Sequence, residues 1–195
     1  MAYTFGQGRK SFQSILDDYN RRIQVVGTET LKGWHATLDF YGNLPDWETA
    51  IEAARRFHFE TSGKCRFFQD RIPLIAKRQF AEDLQKNQTV IYNSTNFEEL
   101  YDNIEKSCKK KGIGELIIYD TAMRLGAFFE KQKGGNFKHD VFLHNGAMKG
   151  AMILFERGLL ARPGNRMPLS AFAELFPQKE AWEVEKILCI YKDNF

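Results

Sequence analysis

A glycine turn between two helical patterns constrains the fold of this sequence more than any other feature. The first pattern spans residues 96–109 and carries apolar residues along one stripe at helical spacing: Phe97, Leu100, Tyr101, Ile104 and Cys108. Thr95 and Glu98, at its start, have the spacing of a capping box. Three lysines and Gly112-Ile113-Gly114 lead into an almost wholly apolar run, so we expect a second, buried helix to begin near Glu115.

Two helices joined by a Gly-x-Gly turn have the layout of a helix-hairpin-helix. The glycines let the backbone turn tightly and approach a ligand, and the first N–H groups of the second helix suit a phosphate. The expected DNA-binding residues are Lys109, Lys110, Lys111, Gly112, Ile113, Gly114 and Glu115. We expect Ile113 to lie between the two helices. The alternative is an ordinary helix end, since Gly-x-Gly is common there and lysines are favoured near a helix C-terminus.

The composition is that of an ordinary globular protein, with 43% apolar residues, 27% charged residues and a net charge of +3. This small positive excess permits nucleic-acid binding without requiring it. The three cysteines are far apart and lack the spacing of a zinc or iron–sulfur site. No cofactor is expected, although the hairpin turn could hold a monovalent cation.

The N-terminal sequence "MAYTFGQGRKSFQSIL" has no apolar signal region, and no segment approaches a membrane-spanning length. We therefore expect a cytoplasmic protein that has no membrane partner and acts as a monomer, with free thiols in a reducing compartment.

Helical periods dominate the rest of the chain. Asp46 is the expected N-cap of one helix, and "GAMKGAMILFERGLL" and a segment starting near Pro177 indicate two more. Strand patterns are weak, because "QTVIY" and "HATLDFYG" are short and isolated, and "ARPGNRMP" reads as a loop. The prediction is one all-α domain over residues 1–195, with two lobes as the alternative. Residues 1–95 would form its N-terminal helical part and residues 96–130 the helix-hairpin-helix.

The segment from about residue 96 to 192 resembles the helix-hairpin-helix DNA glycosylase superfamily, in particular its alkylated-base and adenine-mismatch enzymes. The family's hairpin reads roughly hydrophobic-x-G-hydrophobic-G-x-x-x-A, followed some twenty to thirty residues later by a loop and a catalytic Asp that starts a helix. Here "GIGELIIYDTAMRLGAF" is followed by "HDVFLHNGAMKGAMIL", and "ILCIYK" occupies the place of a further amphipathic helix. The resemblance covers about half of the chain and implies a helical DNA glycosylase-like bundle.

Two departures from the family pattern affect the expected mechanism. Some members carry a lysine two residues beyond the second hairpin glycine, which forms a Schiff base with the sugar. Leu116 holds that position, so a lyase step by that route is excluded. The family's catalytic Asp maps onto Asn145, or one position later onto Gly146. Asparagine keeps the hydrogen-bonding shape of the carboxylate but loses its negative charge.

Other residues could supply the missing charge or orient the attacking water. Asp120 lies in the apolar run after the hairpin; the alternative is a buried structural carboxylate bonded to a nearby backbone group or to Arg124. His144 could orient a water or contact a phosphate, and Asp140 is expected to cap or brace the loop. Tyr119, Trp34 and Tyr41 are candidates for the base pocket, because an aromatic ring can stack on an extruded base; core packing is the alternative.

The sequence thus leads to a monofunctional DNA glycosylase as the first hypothesis. It would flip a modified base out of double-stranded DNA and hydrolyse its N-glycosidic bond, leaving an abasic site. Asn145, with His144 or Asp120, would position the water. The altered Asp position suggests an unusual substrate, which would suit DNA repair or defence against phages with modified DNA. The alternatives are a catalytically inert DNA-binding protein with the same hairpin and a protein-interaction module.

Overall fold

The structure, a computed structural model, describes residues 11–24, 31–60, 72–134 and 137–195. These ranges are mostly helical, which agrees with the expected all-α class. The α-helices are α1 (Phe12–Gln24), α2 (Leu31–Gly42), α3 (Trp47–Glu60), α4 (Leu74–Lys86), α5 (Gln88–Tyr92), α6 (Phe97–Cys108), α7 (Glu115–Lys133), α8 (Asn145–Glu156) and α9 (Ala181–Tyr191). Strands β1 (Val141–Phe142) and β2 (Arg166–Met167) and a 3-10 helix (Leu169–Phe172) complete the described elements. None of the described helices combines the length and apolar composition needed to cross a membrane.

The chain divides into two compact units. The central unit is Glu29–Lys138, and the terminal unit joins the N-terminal segment up to Thr28 to His139–Phe195. The helix-hairpin-helix predicted at residues 96–130 therefore lies wholly within the central unit. The segment 1–95, expected to form one N-terminal part, is shared between the units, because α1 belongs with the C-terminal helices.

Helix α7 forms the middle of the central unit, where α2, α3 and α6 all contact it. Its apolar run is buried on nearly every side, which explains why the sequence shows little amphipathic pattern there. Gly126 allows a close approach to α6, since a β-carbon placed on it would lie 3.4 Å from Cδ2 of Phe97. At the far end of α7, the ring of Phe129 stacks on Trp47 with 5.2 Å between centroids. The hairpin is thus anchored by a fully packed helix.

The terminal unit is built on the pair α8 and α9, with the two-stranded sheet against α9. The strands are antiparallel and pair Val141 with Met167. Helix α1 is tied to α9 by a buried hydrogen bond of 2.8 Å from the Tyr191 hydroxyl to Oδ2 of Asp18. Arg21 and Arg22 also pair with the Asp18 carboxylate, which compensates its buried charge.

Several local predictions are confirmed, and others are corrected. Asp46 caps α3 by accepting a 2.7 Å hydrogen bond from the backbone N–H of Thr49. "QTVIY" is α5 and "HATLDFYG" belongs to α2, so neither weak strand pattern gives a strand. The N-cap of α6 is Asn96, whose side chain accepts from the N–H of Glu99, rather than the expected Thr95 with Glu98. Thr95 instead donates its hydroxyl to the Glu99 carboxylate at 2.7 Å.

Candidate nucleic-acid interface

The turn between α6 and α7 is a tight glycine turn. Gly112 has φ of +94°, a conformation that side chains with a β-carbon rarely adopt. The N–H of Ile113 donates to the carbonyl of Lys110 at 2.9 Å, which closes the turn. Ile113 is only 5% exposed, whereas Gly112 and Gly114 are exposed. The isoleucine is therefore the buried residue of the turn, and the glycines on either side of it are in contact with solvent.

The N-terminus of α7 follows directly and has no side-chain cap. Gly114 is its N-cap residue and has no side chain that could accept from the first N–H groups. Ile117 donates to the Gly114 carbonyl at 3.1 Å. The first N–H groups of an α-helix have no acceptor within the helix itself, and no side-chain cap is present at this helix start. Such groups at the positive end of a helix dipole are suited to an anion, although the exposed Glu115 carboxylate lies in the same turn.

The lysine cluster is less positive than its sequence suggests. Lys109 pairs with Glu105 at 2.6 Å, and Lys110 pairs with Asp83 on α4 at 3.3 Å. Of the three lysines, Lys111 alone has no carboxylate within ion-pair distance among the described residues. The two pairs are partly exposed and so contribute little free energy, which means that a phosphate could replace the carboxylates.

The first turn of α4 lies beside the hairpin, a neighbour that the sequence did not indicate. A β-carbon placed on Gly112 would lie 3.5 Å from Cβ of Ala76 and 3.7 Å from Cδ of Pro73. Contacts between segments about forty residues apart leave no periodic signal in one sequence, so only the packing reveals them. Helix α4 is therefore part of the same surface as the hairpin.

The predicted catalytic residues His144 and Asn145 lie at the start of α8 in the terminal unit. His144 is the N-cap residue, and its carbonyl accepts from the N–H of Met148 at 2.9 Å. Asn145 is the first helical residue and is exposed. Asp140 belongs to the same unit, half-buried and immediately before β1. No acidic residue lies in the first turn of α8, so this helix start lacks the charge of the family's Asp.

The two glycines of "NGAMKG" have a packing role that the sequence did not indicate. A β-carbon on Gly150 would lie 2.4 Å from the carbonyl oxygen of Leu188, and one on Gly146 would lie 2.5 Å from Sγ of Cys189. Both glycines therefore allow α8 to touch α9 closely. A side chain at position 146 would require Cys189 to move.

Asp120 belongs to the central unit, not to the unit that holds Asn145 and His144. The guanidinium of Arg124 donates to the backbone carbonyl of Asp120 at 2.8 Å, so the expected bond to its carboxylate is replaced by one to its main chain. Oδ1 of Asp120 is buried and has no hydrogen-bond partner within the described part of the chain. Leu116 is half-buried in the first turn of α7.

Two of the three residues expected in the base pocket are core residues. Tyr41 is 2% exposed and Tyr119 is 1% exposed, so neither ring presents a face on which a base could stack. Tyr119 packs edge-on against Phe97, and burial raises the pKa of Tyr41 to about 12. Trp34 is half-buried, and the guanidinium of Arg124 lies 4.7 Å from the centre of its ring. A stacking role thus stays a prediction for Trp34 only.

Within the described ranges, no group of three or more His, Cys, Asp or Glu side chains is placed to hold a metal ion. The chain matches no family model, no curated protein and no solved structure. The hairpin turn and the start of α8 are therefore the parts of the described chain that bear on its function.

Proposed function

We propose that this chain binds the backbone of double-stranded DNA through its hairpin and acts as a monofunctional DNA glycosylase. The observation that carries the proposal is the exposed Gly112-Ile113-Gly114 turn, with its isoleucine buried and the α7 N-terminus uncapped. Such a turn presents backbone N–H groups on a rigid support, and a duplex phosphate is the anion that fits them.

In the bound state, the first turn of α7 would present its N-terminal end to one phosphate. Lys111 would add a positive charge, and Lys109 and Lys110 would exchange their carboxylate partners for neighbouring phosphates. These contacts carry no sequence information, so the hairpin would position the protein on any duplex.

Base release is the part of the proposal that rests on the family resemblance. The modified base must leave the stack, because its glycosidic bond is not reachable within a duplex. Asn145 is exposed at the start of α8 and could hold a water and a sugar oxygen through its amide. His144 and Asp140 lie in the same unit as Asn145. Modified bases of damaged or phage DNA are the proposed substrates.

An inert DNA-binding protein is the second candidate, favoured by one observation. The first turn of α8 holds no acidic residue, although the family's catalytic Asp stands there. The positive end of the helix dipole would then oppose, rather than balance, a cationic sugar.

A salt titration with lysine variants tests the binding proposal. Lys111→Ala should weaken binding to duplex DNA and reduce the slope of log affinity against log salt by about 0.9. Lys109→Ala and Lys110→Ala should have smaller effects, because each of these lysines must lose its ion pair with a carboxylate before it can pair with a phosphate. Lys186→Ala is the control, since Lys186 belongs to the terminal unit and the hairpin to the central unit. If the triple variant of Lys109, Lys110 and Lys111 binds like the unchanged protein at every salt concentration, the hairpin does not bind DNA.

An abasic-site assay on modified and phage DNA tests the enzymatic proposal. Asn145→Ala should reduce base release far more than DNA binding, because the lost interaction belongs mainly to the transition state. Asn145→Asp should preserve or raise activity, since it restores a charge beside the sugar cation. Lys149→Ala, an exposed change on the same helix, is the control. Tight DNA binding without release of any base would favour the inert protein.

A further inference from the structure

An open groove of about 870 Å³ lies between α2 and α3, within the central unit. Phe40, Tyr41 and Leu44 line it from α2, and Ala53 lines it from α3. Tyr41 and Leu44 are buried, whereas Phe40 is 55% exposed and leaves much of its ring in water. A groove of this volume with a mostly apolar lining is typical of a site for a small organic molecule.

The groove is a consequence of small side chains on the two helices. Ala36 lies one turn before Phe40 on α2, and Thr49 lies one turn before Ala53 on α3; all four residues line the groove. Alanine and threonine leave space that a larger apolar side chain would fill. Both helices pack on α7, which supports the two walls from behind.

The groove lies apart from the hairpin turn. Helix α2 contacts α7 near Arg124, whose guanidinium lies against the ring of Trp34. A β-carbon placed on Gly42, the last residue of α2, would lie 3.5 Å from the carbonyl oxygen of Ala127. Arg124 and Ala127 follow Glu115, the first residue of α7, by about 14 and 18 Å along the helix axis. A ligand of the groove is therefore a separate matter from a phosphate at the hairpin.

The groove has one acidic side chain that can accept a cation. Glu52 pairs with Arg56 at 2.9 Å and with Arg55, whose guanidinium also donates to the Ala81 carbonyl on α4. Glu48 is exposed in the first turn of α3, where the helix dipole favours its charged form. Among the described residues, no cation forms an ion pair with Glu48. Its charge favours a cationic ligand and disfavours a carboxylate or a phosphate.

We propose that the groove between α2 and α3 binds an aromatic amine, with the ring against Phe40 and the ammonium group beside Glu48. The ring of Phe40 packs edge-on against Tyr41, with 5.4 Å between centroids, and a ligand ring would remove its exposed surface from water. The two threonine hydroxyls of the lining, on Thr37 and Thr49, offer further acceptors to the ammonium group. This proposal does not depend on DNA binding.

The compounds 4-phenylbutylamine and 4-phenylbutyrate provide matched probes, because they share a ring on a short chain and carry opposite charges at pH 7. In NMR titrations of the full chain, the amine should shift backbone signals of α2 and α3. It should bind roughly 5-fold more tightly than the carboxylate, a preference that should decrease with salt. Glu48→Gln should weaken binding of the amine roughly 5-fold and remove most of this preference. Glu98→Gln is the matched control, since Glu98 is the second residue of α6 as Glu48 is of α3, and it should leave amine binding unchanged.

Ala36→Phe tests the location, because it fills the groove from an exposed position. It should remove most of the amine binding, while circular dichroism shows that the variant is folded. Unchanged affinity of this folded variant for the amine would overturn the proposal. Equal or tighter binding of 4-phenylbutyrate by the unchanged protein would also overturn it, as would equal effects of Glu48→Gln and Glu98→Gln or a failure to bind either compound. Since none of these titrations contains DNA, such a failure leaves the hairpin proposal standing.

Discussion

At the scale of single residues, the two hairpin glycines have different roles, although they look alike in the sequence. Gly112 needs its positive φ, so Gly112→Ala should strain the turn, lower the free energy of unfolding by about 1–2 kcal/mol and weaken DNA binding. Gly114 has φ of −87°, and among the described residues no atom beyond its two chain neighbours lies within 4 Å of a β-carbon placed on it. Gly114→Ala should therefore fold normally, and urea unfolding beside a duplex-binding assay measures both effects.

The comparison of these two variants separates folding from recognition. A loss of DNA binding by Gly114→Ala at unchanged stability would mean that a phosphate approaches the backbone too closely for a methyl group. Equal stability of Gly112→Ala and Gly114→Ala would contradict the assigned turn geometry.

His139 gives a prediction about pH. Its ring packs against Phe142 with 6.0 Å between centroids and bonds the carbonyl of Asp140 through Nδ1 at 2.6 Å. Burial lowers the pKa of His139 from 6.5 to about 4, against the opposing effect of Asp140. As the pH is lowered below 6.5, His139 becomes protonated in the unfolded chain, whereas in the folded chain it stays neutral down to about pH 4. The free energy of unfolding should therefore decrease as the pH is lowered from 6.5 to 4, by up to about 1.4 kcal/mol per pH unit.

Urea unfolding at several pH values measures this dependence, with carboxylates contributing a background. His139→Asn keeps a donor for the Asp140 carbonyl and removes the titration, so its stability should fall less between pH 6.5 and 4. His35→Asn, at an exposed position, should behave like the unchanged protein. An identical pH dependence for His139→Asn would show that the imidazole accepts its proton freely in the folded state.

Sequence reasoning succeeded at residues whose role is local. The capping by Asp46 depends on Thr49, three residues away, and its pattern is visible in the sequence. Tyr41 and Tyr119 were misjudged, because an aromatic residue that packs in a core and one that stacks on a base look the same in the sequence. The role of Gly150 depends on Leu188, almost forty residues away, and was not visible at all.

At the scale of elements, the contact between α8 and α9 is set by the missing side chain of Gly150. A methyl group there would lie 2.4 Å from the Leu188 carbonyl oxygen, a backbone atom that cannot rotate away. Gly150→Ala should therefore push the helices apart and lower the free energy of unfolding by about 1–3 kcal/mol. Lys149→Ala, its exposed neighbour, should change stability by less than about 0.5 kcal/mol. Thermal or urea unfolding of both variants tests this, and equal stability would exclude the close contact.

The ends of helices were predicted correctly where a turn or capping residue and the hydrophobic period indicated the same position. Where these signals disagreed, the prediction was wrong. Helix α7 begins at Glu115 as expected, because the glycine turn before it is unambiguous. Helix α2 was missed because "HATLDFYG" has a mixed pattern whose conformation is decided by packing against α7. Tertiary contacts override weak local preference, and one sequence does not display them.

At the scale of the whole molecule, the chain order hides which segments fold together. The hydrophobic period predicts the helices, but it does not show that α1 packs in the same unit as the C-terminal helices. The buried Asp18–Tyr191 hydrogen bond connects α1 to α9. The hairpin and the start of α8 could both be located from the sequence, since each has a local motif. They belong to separate compact units, so the proposed binding and the proposed chemistry can be changed one at a time.

The overall reaction product distinguishes a monofunctional glycosylase from a lyase. Leu116 stands in the first turn of α7 where some members of the resembled family carry a Schiff-base lysine, and leucine has no amine. Borohydride should therefore trap no covalent complex between the unchanged protein and DNA, and strand breaks should appear only after alkali. Leu116→Lys should gain a trappable complex if the family alignment holds at this position, whereas Leu116→Met should not.

A complex trapped with the unchanged protein would show that another amine attacks the sugar, and the monofunctional assignment would be wrong. A folded, DNA-binding Leu116→Lys variant that traps nothing on abasic DNA would instead place the reacting sugar away from the first turn of α7, and the family's geometry would not apply to this chain.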